Sequence, residues 1–367
     1  MRSGVVWIAL GSLCALVLAC GDDAASLPPG STTSSDSGQT SGSGAGATVG
    51  AGGASSSSSQ TSGSGASSSS TGGSAPVVCP PGMEYGDPLP AQAMATEVAG
   101  GYKFLEGPVW LADAGVLFFS DMNFSGSGSD GVPPSTIYRL TPPSTVDVLT
   151  TDVHSNGLAL GIDGSIVACT HDQRSVSRVD PITAARTTIA GTYEGDKFNS
   201  PNDAIVRGDG TIYFTDPTWQ LGNRPQEIAF KGVYRIDTGG NVHLVADDFG
   251  SPNGIALSPD ETTLYVADDA NGHVRSFAVA ADGATSGGEI FATVGGVDGM
   301  AIDCAGNLYA SSHQGIMVFD AAGKQLGTIA VGQKPSNAAF GGPDRKTLYI
   351  TTSNALYSVA LNVPGLP

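Results

Sequence analysis

The chain has 367 residues, of which 16 are Lys or Arg and 34 are Asp or Glu, giving a formal charge of −18. A long-range field of that sign repels phosphate, so nucleic acid and an anionic membrane surface are excluded as partners. Acidic surfaces and metal sites remain compatible with it. The basic residues are segregated, because none occurs between Arg2 and Lys103.

Residues 1–19 carry Arg2, an apolar run through Leu18, and Val17-Leu18-Ala19 directly before Cys20. A cationic start, an apolar middle and a small residue at the cut are the marks of an export signal. The ending resembles a bacterial lipoprotein signal, in which Cys20 becomes the lipidated first residue of the mature chain. An ordinary signal peptide holding a cysteine is the alternative; the run is short for a membrane helix. The expected location is therefore outside the cytoplasm. The protein would be anchored by Cys20 to a membrane, the outer membrane by preference, and face the periplasm or the cell surface.

Residues 20–78 form the expected linker. From Gly21 to Ala75 it is almost wholly Ser, Gly, Thr and Ala, with Asp22, Asp23 and Asp36 as its charges. Too little apolar surface is available there to offset the entropy of ordering. As a random coil it would span about 40 Å.

Residues 79–367 suit one large domain, and a monomer is expected. Cys79, Cys169 and Cys304 fall within it, an odd number that cannot all pair internally. Cys169 sits in an apolar strand and Cys304 beside a turn, which reads as two small, buried or half-buried fillers. Their spacing does not suggest a zinc cluster.

A phrase recurs along this domain: a polar residue, a short apolar strand, a turn, and a second strand ending on a polar residue. Its copies are LEGPVWLADAGVLFFSD from Leu105, SNGLALGIDGSIVACTH from Ser155, and SPNDAIVRGDGTIYFTDP from Ser200. SPNGIALSPDETTLYVADD from Ser251, VDGMAIDCAGNLYASSH from Val297 and SNAAFGGPDRKTLYITT from Ser336 complete the set. A period of about 40–50 residues with four short β runs each marks a β-propeller, here all-β and six-bladed. The runs Thr136–Leu140 and Val146–Leu149 supply the outer strands of the first copy, and similar pairs follow each later one. The last copy lacks an outer strand, which Met94–Ala99 can supply by pairing with the end of the chain.

Inner strands surround the axis, so the first polar residues converge on one mouth. These are Glu106, Asn156, Asn202, Asn253, Asp298 and Asn337. A set of carboxylates and amides without Cys or His is a hard-ligand set that suits Ca²⁺ or Mg²⁺. Asn and Asp also cap turns through their own backbone, which is the competing explanation. The far ends of the hairpins place Asp121, His171, Asp216, Asp268 or Asp269, His313 and Thr352 on the same face. Asp216 is read as a second metal ligand or as a residue that holds its loop. His171 and His313 are candidate substrate contacts or structural hydrogen-bonding groups. His154, two before Asn156, is a candidate general base, with a solvent-exposed histidine as the alternative. Two longer loops, 123–134 and 219–230, would cover the mouth and offer Phe124, Trp219 and Arg224 as substrate walls.

The phrases EGPVW, NSPNDAIV, YFTDPTW, SPNGIALSPD, DGMAIDCAGNLYASSHQGIMVFD and PSNAAFGGPDRKTLYITT together resemble the SMP-30/gluconolactonase/LRE-like family, from Thr96 to Leu361. The resemblance implies a six-bladed propeller with a divalent cation, commonly Ca²⁺, near its axis. Mg²⁺, Mn²⁺ and Zn²⁺ are alternatives. It implies hydrolysis of a sugar lactone such as gluconolactone, or of a related small lactone. Glu106, Asn253 and Asp298 match the family's metal ligands, and Asn202 matches a residue at both metal and substrate. Asn156 matches the asparagine of the NGL motif and is expected on the substrate side. Asp298 is then both ligand and general base. A non-catalytic sugar- or peptide-binding propeller and a phosphotriesterase-like hydrolase are the competing functions.

Overall fold

Burial falls from the inner hairpin to the outermost strand of the blades, and that gradient explains the sequence pattern. Leu105–Leu111 and Val116–Met122 are buried along almost their whole length, as are Thr263–Asp268 and Leu308–Ser312. Such strands lie between two neighbouring sheets, so both faces are apolar and the runs read as continuous. The third strand alternates in the first blade, Ser135–Thr141, and is buried throughout in the fifth, Gly315–Phe319, while the outermost, such as Thr145–Thr150, has no buried residue.

The computed structural model describes residues 79–80 and 82–366. Cys20, the leader and the linker of residues 20–78 lie outside the described residues. Among those described, six four-stranded antiparallel sheets follow one another as blades. Their innermost strands are Leu105–Leu111, Ser155–Leu160, Ala204–Val206, Pro252–Leu257, Met300–Ile302 and Pro335–Gly341. The fold is the expected six-bladed all-β propeller. A short ribbon, Thr192–Tyr193 with Asp196–Lys197, adds to the second blade's exit.

The ring closes as the sequence requires. Thr96–Gly100 pairs antiparallel with Ala355–Ala360 and becomes the outer strand of the sixth blade, with Thr96 opposite Ser358 and Gly100 opposite Ala355. The first blade thus begins where the last one ends.

The fifth blade is tied to both chain ends as well. Ala95 donates its amide to the Ala330 carbonyl and Leu366 to that of Ile302. Cys79 forms a disulfide with Cys304, 5.3 Å apart at Cα and 225 residues apart in sequence. The reading of Cys304 as a filler is thereby corrected: it is a tether. A bridge closing so long a loop removes about 5 kcal/mol of unfolded-state entropy in the chain-entropy picture. Cys169 is the free, buried cysteine among the described residues, as expected.

Blades are glued by clusters shared between neighbours. Val109, Phe118 and Ile137 of the first blade pack on Leu158, Ile166 and Val179 of the second. Phe198, Phe214 and Tyr234 cluster with ring centroids 5.0–5.4 Å apart between the second and third, Phe198 edge-on to Phe214 and Phe214 stacked on Tyr234. Fully burying one such apolar side chain is worth about 2–3 kcal/mol, so blade order rests on these contacts.

Candidate active site at one mouth of the channel

A backbone irregularity positions three residues of the polar ring. The pairing of the first two strands slips after Glu106, after Ser155 and after Pro252. Each slip is a β-bulge, which bends the strand and re-aims a side chain. Asn156 and Asn253 occupy bulged residues, and each is followed by glycine. The glycine lets the strand press against the next blade. A Cβ on Gly157 would collide with the Asn202 carbonyl and Asp203, and one on Gly254 with the Asp298 carbonyl. At these contacts the Gly157 amide donates to Asn202 (2.8 Å) and the Gly254 amide to Asp298 (3.0 Å). The polar–Gly dipeptide therefore couples the ring to the inter-blade seams.

Glu106, Asn156, Asn202, Asn253 and Asp298 line one cavity of about 180 Å³. Phe104, Met122, Phe124 and Trp219 make its apolar side, and Gln220, Asp269 and Lys334 its remaining polar rim. Burial holds the Glu106 carboxyl well above its usual range, and repulsion from Asp298 and Asp203 adds to this. Asp298, partly open to the cavity, is also pushed up, by burial first, although Lys334 and the Asn253 amide oppose the shift.

Two carboxylates and three carboxamides offer oxygen donors without thiolate or imidazole, a set that fits a hard divalent cation. Among the described residues no three His, Cys, Asp or Glu side chains group as metal ligands. Any cation here is held by amides as much as by carboxylates.

The family model for the SMP-30/gluconolactonase/LRE-like region matches residues 104–354, which takes in all six inner strands. The chain belongs to this family. It is 34% identical over 301 residues to a gluconolactonase of Zymomonas mobilis, covering 73% of this chain and 81% of the relative. With the pentonolactonase XacC of Haloferax volcanii it shares 31% over 260 residues, covering 68% and 81%. A solved gluconolactonase structure from Xanthomonas campestris superposes with a TM-score of 0.65 at 31% identity, covering 77% of this chain and 99% of that one.

Within this family fold, the sixth ring residue stands at the ring's inner edge: Asn337 interacts with the Glu106 carboxyl without lining the smaller cavity. Asn337 lines a larger cavity, of about 420 Å³, that opens toward the other end of the channel. Its Nδ2 faces Asp203 Oδ2 at 3.4 Å. Asp203 follows Asn202 where four other blades carry Gly107, Gly157, Gly254 or Gly299. Its carboxylate fills the axis beneath the ring, and burial pushes it up to about 7 against the pull of the Ala204 and Ile255 amides and Asn337. That departure from glycine is the signal in the repeat that marks Asp203. The larger cavity is walled largely by apolar residues such as Val109, Leu158, Ile205, Leu257 and Met300, with Asp203, Arg207, Asp260 and Glu261 among its polar members.

The second polar series turns back on the backbone. Asp121 Oδ1 accepts the Lys103 and Phe104 amides at 2.8 and 2.9 Å. Asp216 Oδ2 accepts the Asn199 amide at 2.7 Å, and Asp268 accepts those of Gly250 and Ser251, both at 2.9 Å. Each carboxylate holds the approach to its blade's ring residue. Of the two roles open to Asp216, holding its loop is the one its contacts perform. Asp268 does likewise, which leaves Asp269 as the residue that faces the cavity.

The remaining candidates hold structure around the cavity. His154 Nδ1 lies 2.9 Å from the Pro133 carbonyl, which can only accept, so Nδ1 carries the proton. His171 is fully buried, and burial, Arg224 and His154 lower it to about 3, so it is neutral in the fold. Arg224 donates to the carbonyls of His171, Asp172, Gln220 and Leu221, leaving its guanidinium committed to the loop. His313 is exposed beside Gly296 and is absent from the cavity wall. Of the predicted substrate walls, Trp219 and Phe124 reach the cavity.

Proposed function

We propose that the protein hydrolyses a small sugar lactone at this mouth, with a divalent cation, calcium by preference, held by Glu106, Asn202, Asn253 and Asp298. The reading is carried by one observation: two carboxylates and three carboxamides share a cavity of about 180 Å³ in a chain of this family. The relatives named gluconolactonase and pentonolactonase support the bond type and the substrate class.

When bound, the cation supplies Lewis acidity at the ester carbonyl and stabilises the oxyanion that develops there. The chain's own groups do the rest. Asn156 and Asn202 donate amide protons to substrate oxygens, while Trp219 and Phe124 cover the C–H face of the sugar. Asp298 takes the proton from the attacking water as the new C–O bond forms. It returns that proton to the ring oxygen as the lactone C–O bond breaks, which leaves the aldonic acid. In the metal-free fold burial holds this carboxyl above its ordinary range; a coordinated cation opposes that shift. Lys334 at the rim offsets part of the acidic charge.

The export reading belongs with this proposal. A disulfide between Cys79 and Cys304 suits an oxidising compartment, and the Cys20 lipid would keep the enzyme at a membrane surface.

The test is a pH-stat assay of the Cys20→Ser protein on gluconolactone and a panel of five- and six-membered sugar lactones. It is run after chelation and after return of Ca²⁺, Mg²⁺, Mn²⁺ or Zn²⁺. Chelation should lower turnover about a hundredfold or more, with Ca²⁺ restoring it best. No turnover above the uncatalysed rate by folded, metal-replete protein would sink the reading. Sugar binding without turnover would favour a binding module instead.

A further inference from the structure

The six blades treat one connection unequally. Between the second and third strands, four blades use two to four residues at this mouth: 171–174, 269–272, 313–314 and 353–354. The first and third blades instead use 123–134 and 217–231. These blades flank the second, whose own connection is short.

Both long loops are anchored near the second blade. Pro133 accepts from His154, and Arg224 donates to the carbonyls of His171 and Asp172. Above those anchors the two exposed tips join. The Asn223 amide donates to the Asp130 carbonyl at 2.7 Å, and Asn223 Nδ2 to the Ser129 carbonyl at 3.1 Å. Gly222 and Gly131 lie back to back, at φ +64° and +74°. A Cβ on Gly222 would collide with the Asp130 carbonyl, so the close approach needs glycine there.

The joined loops carry side chains into the cavity. Phe124 comes from one and Trp219 and Gln220 from the other. Phe124 packs edge-on against Phe104 at 5.4 Å between centroids, which fixes one end of this wall. The cavity, at about 180 Å³, is smaller than the usual small-molecule site of roughly 300–1,000 Å³.

We propose that Gly222 and Asn223 are positioning residues that set substrate size. By clasping the two loops into a bridge over the second blade, they hold Phe124 and Trp219 as a wall that admits one lactone ring and rejects a substrate carrying a second sugar. Neither residue lines the cavity, so the effect passes through the loops. The proposal rests on the lactonase reading for its substrate class, whereas the clasp itself stands on the hydrogen bonds.

The test compares the full chain with its Gly222→Ala and Asn223→Asp variants. Gly222→Ala forces the tips apart, and Asn223→Asp sets a carboxylate against the Ser129 carbonyl. Two readouts are taken: hydrogen exchange across 123–134 and 217–231, and kcat and KM on gluconolactone and on the disaccharide lactone of cellobionic acid. In both loops, exchange should quicken about tenfold or more in either variant. The preference for gluconolactone in kcat/KM should fall about tenfold, chiefly through a lower KM for the disaccharide, with kcat on gluconolactone changed less than about twofold.

Unchanged exchange in Asn223→Asp refutes the clasp. Faster exchange with an unchanged substrate preference refutes the specificity role, as does equal use of both lactones by the unaltered protein. If the unaltered protein hydrolyses neither, the lactonase reading falls and takes the size claim with it, while exchange still decides the clasp.

Discussion

Two series of polar residues mark the ends of the inner hairpins, and both belong to the same mouth of the propeller. The first, from Glu106 to Asp298, sends its side chains into a shared cavity. The second, exemplified by Asp121, Asp216 and Asp268, sends its carboxylates back to amide groups two or three residues ahead of the first. The difference arises from backbone geometry. Glu106, Asn156 and Asn253 of the first series sit at or beside bulges, and Asn202 and Asp298 lie in the approach just ahead of their strands. Residues of the second end a regularly paired strand, where the nearest unsatisfied groups are the amides of the incoming chain. Repetition alone marks a position as important to the blade; its place at the start of the inner strand, at a bulge or just ahead of the pairing, opens it to the cavity.

The widest separation between the series should appear in activity. Asp298→Asn keeps size and one oxygen donor but removes the proton acceptor and one negative charge. Turnover on gluconolactone should fall on the order of a thousandfold. Because burial and neighbouring carboxylates already disfavour the charge, metal-free stability should hold or rise. Thermal unfolding in chelator together with pH-stat kinetics checks both halves. A variant within tenfold of the unaltered rate would remove Asp298 from the chemistry.

Asp268→Ala should show the opposite pattern. It strips partners from the Gly250 and Ser251 amides and from the Asn271 side chain. Losing hydrogen bonds to a charged acceptor and leaving buried donors unpaired costs about 2–4 kcal/mol, read by urea unfolding. Gluconolactone kcat should change far less than in Asp298→Asn, since Asp268 does not line the cavity. Equal losses of activity in the two variants would erase the distinction between the series.

How much of this could be read in the sequence follows from the same geometry. The blades and their closing strand were legible because strand burial has a fixed period and Met94–Ala99 was left without a partner in its own repeat. Four ring residues were legible because the polar–Gly dipeptide recurs, and Asn202 because it holds the same place in its repeat although Asp203 follows it. Asn337, with Ala338 in place of the glycine, keeps its side chain beside Glu106 and Asp203 and lines the larger cavity rather than the smaller one. The loops carry no period, so His154 and Arg224 suggested chemistry while the fold uses them as anchors. The Cys79–Cys304 bridge was hidden for a related reason: 225 residues separate its ends, and nothing local encodes their meeting.

The finest test lies inside the second series, where one structural role comes with opposite pH behaviour. At Asp268 burial pushes the carboxyl up, but the amides of Gly250 and Ser251 and the side chain of Asn271 outweigh it, and the result lies below the ordinary value. Its stabilising contribution is present above the unfolded pKa and is lost as pH falls through the folded one. At Asp216 burial wins over the Asn199 and Ser200 amides and Arg174, raising the carboxyl to about 8. A proton is then retained in the fold that the unfolded chain gives up near its ordinary value of 3.8. Its contribution is complete below that value and declines as pH rises toward 8, by about 1 kcal/mol per unit for one linked proton. Asp216→Asn mimics the protonated form and cannot titrate, so its stability relative to the unaltered protein should improve steadily between pH 4 and pH 8. Asp268→Asn should show its deficit at neutral pH and lose it in acid. Urea unfolding of both variants across this range checks the signs, and parallel profiles would mean that the two carboxylates share one protonation state in the fold.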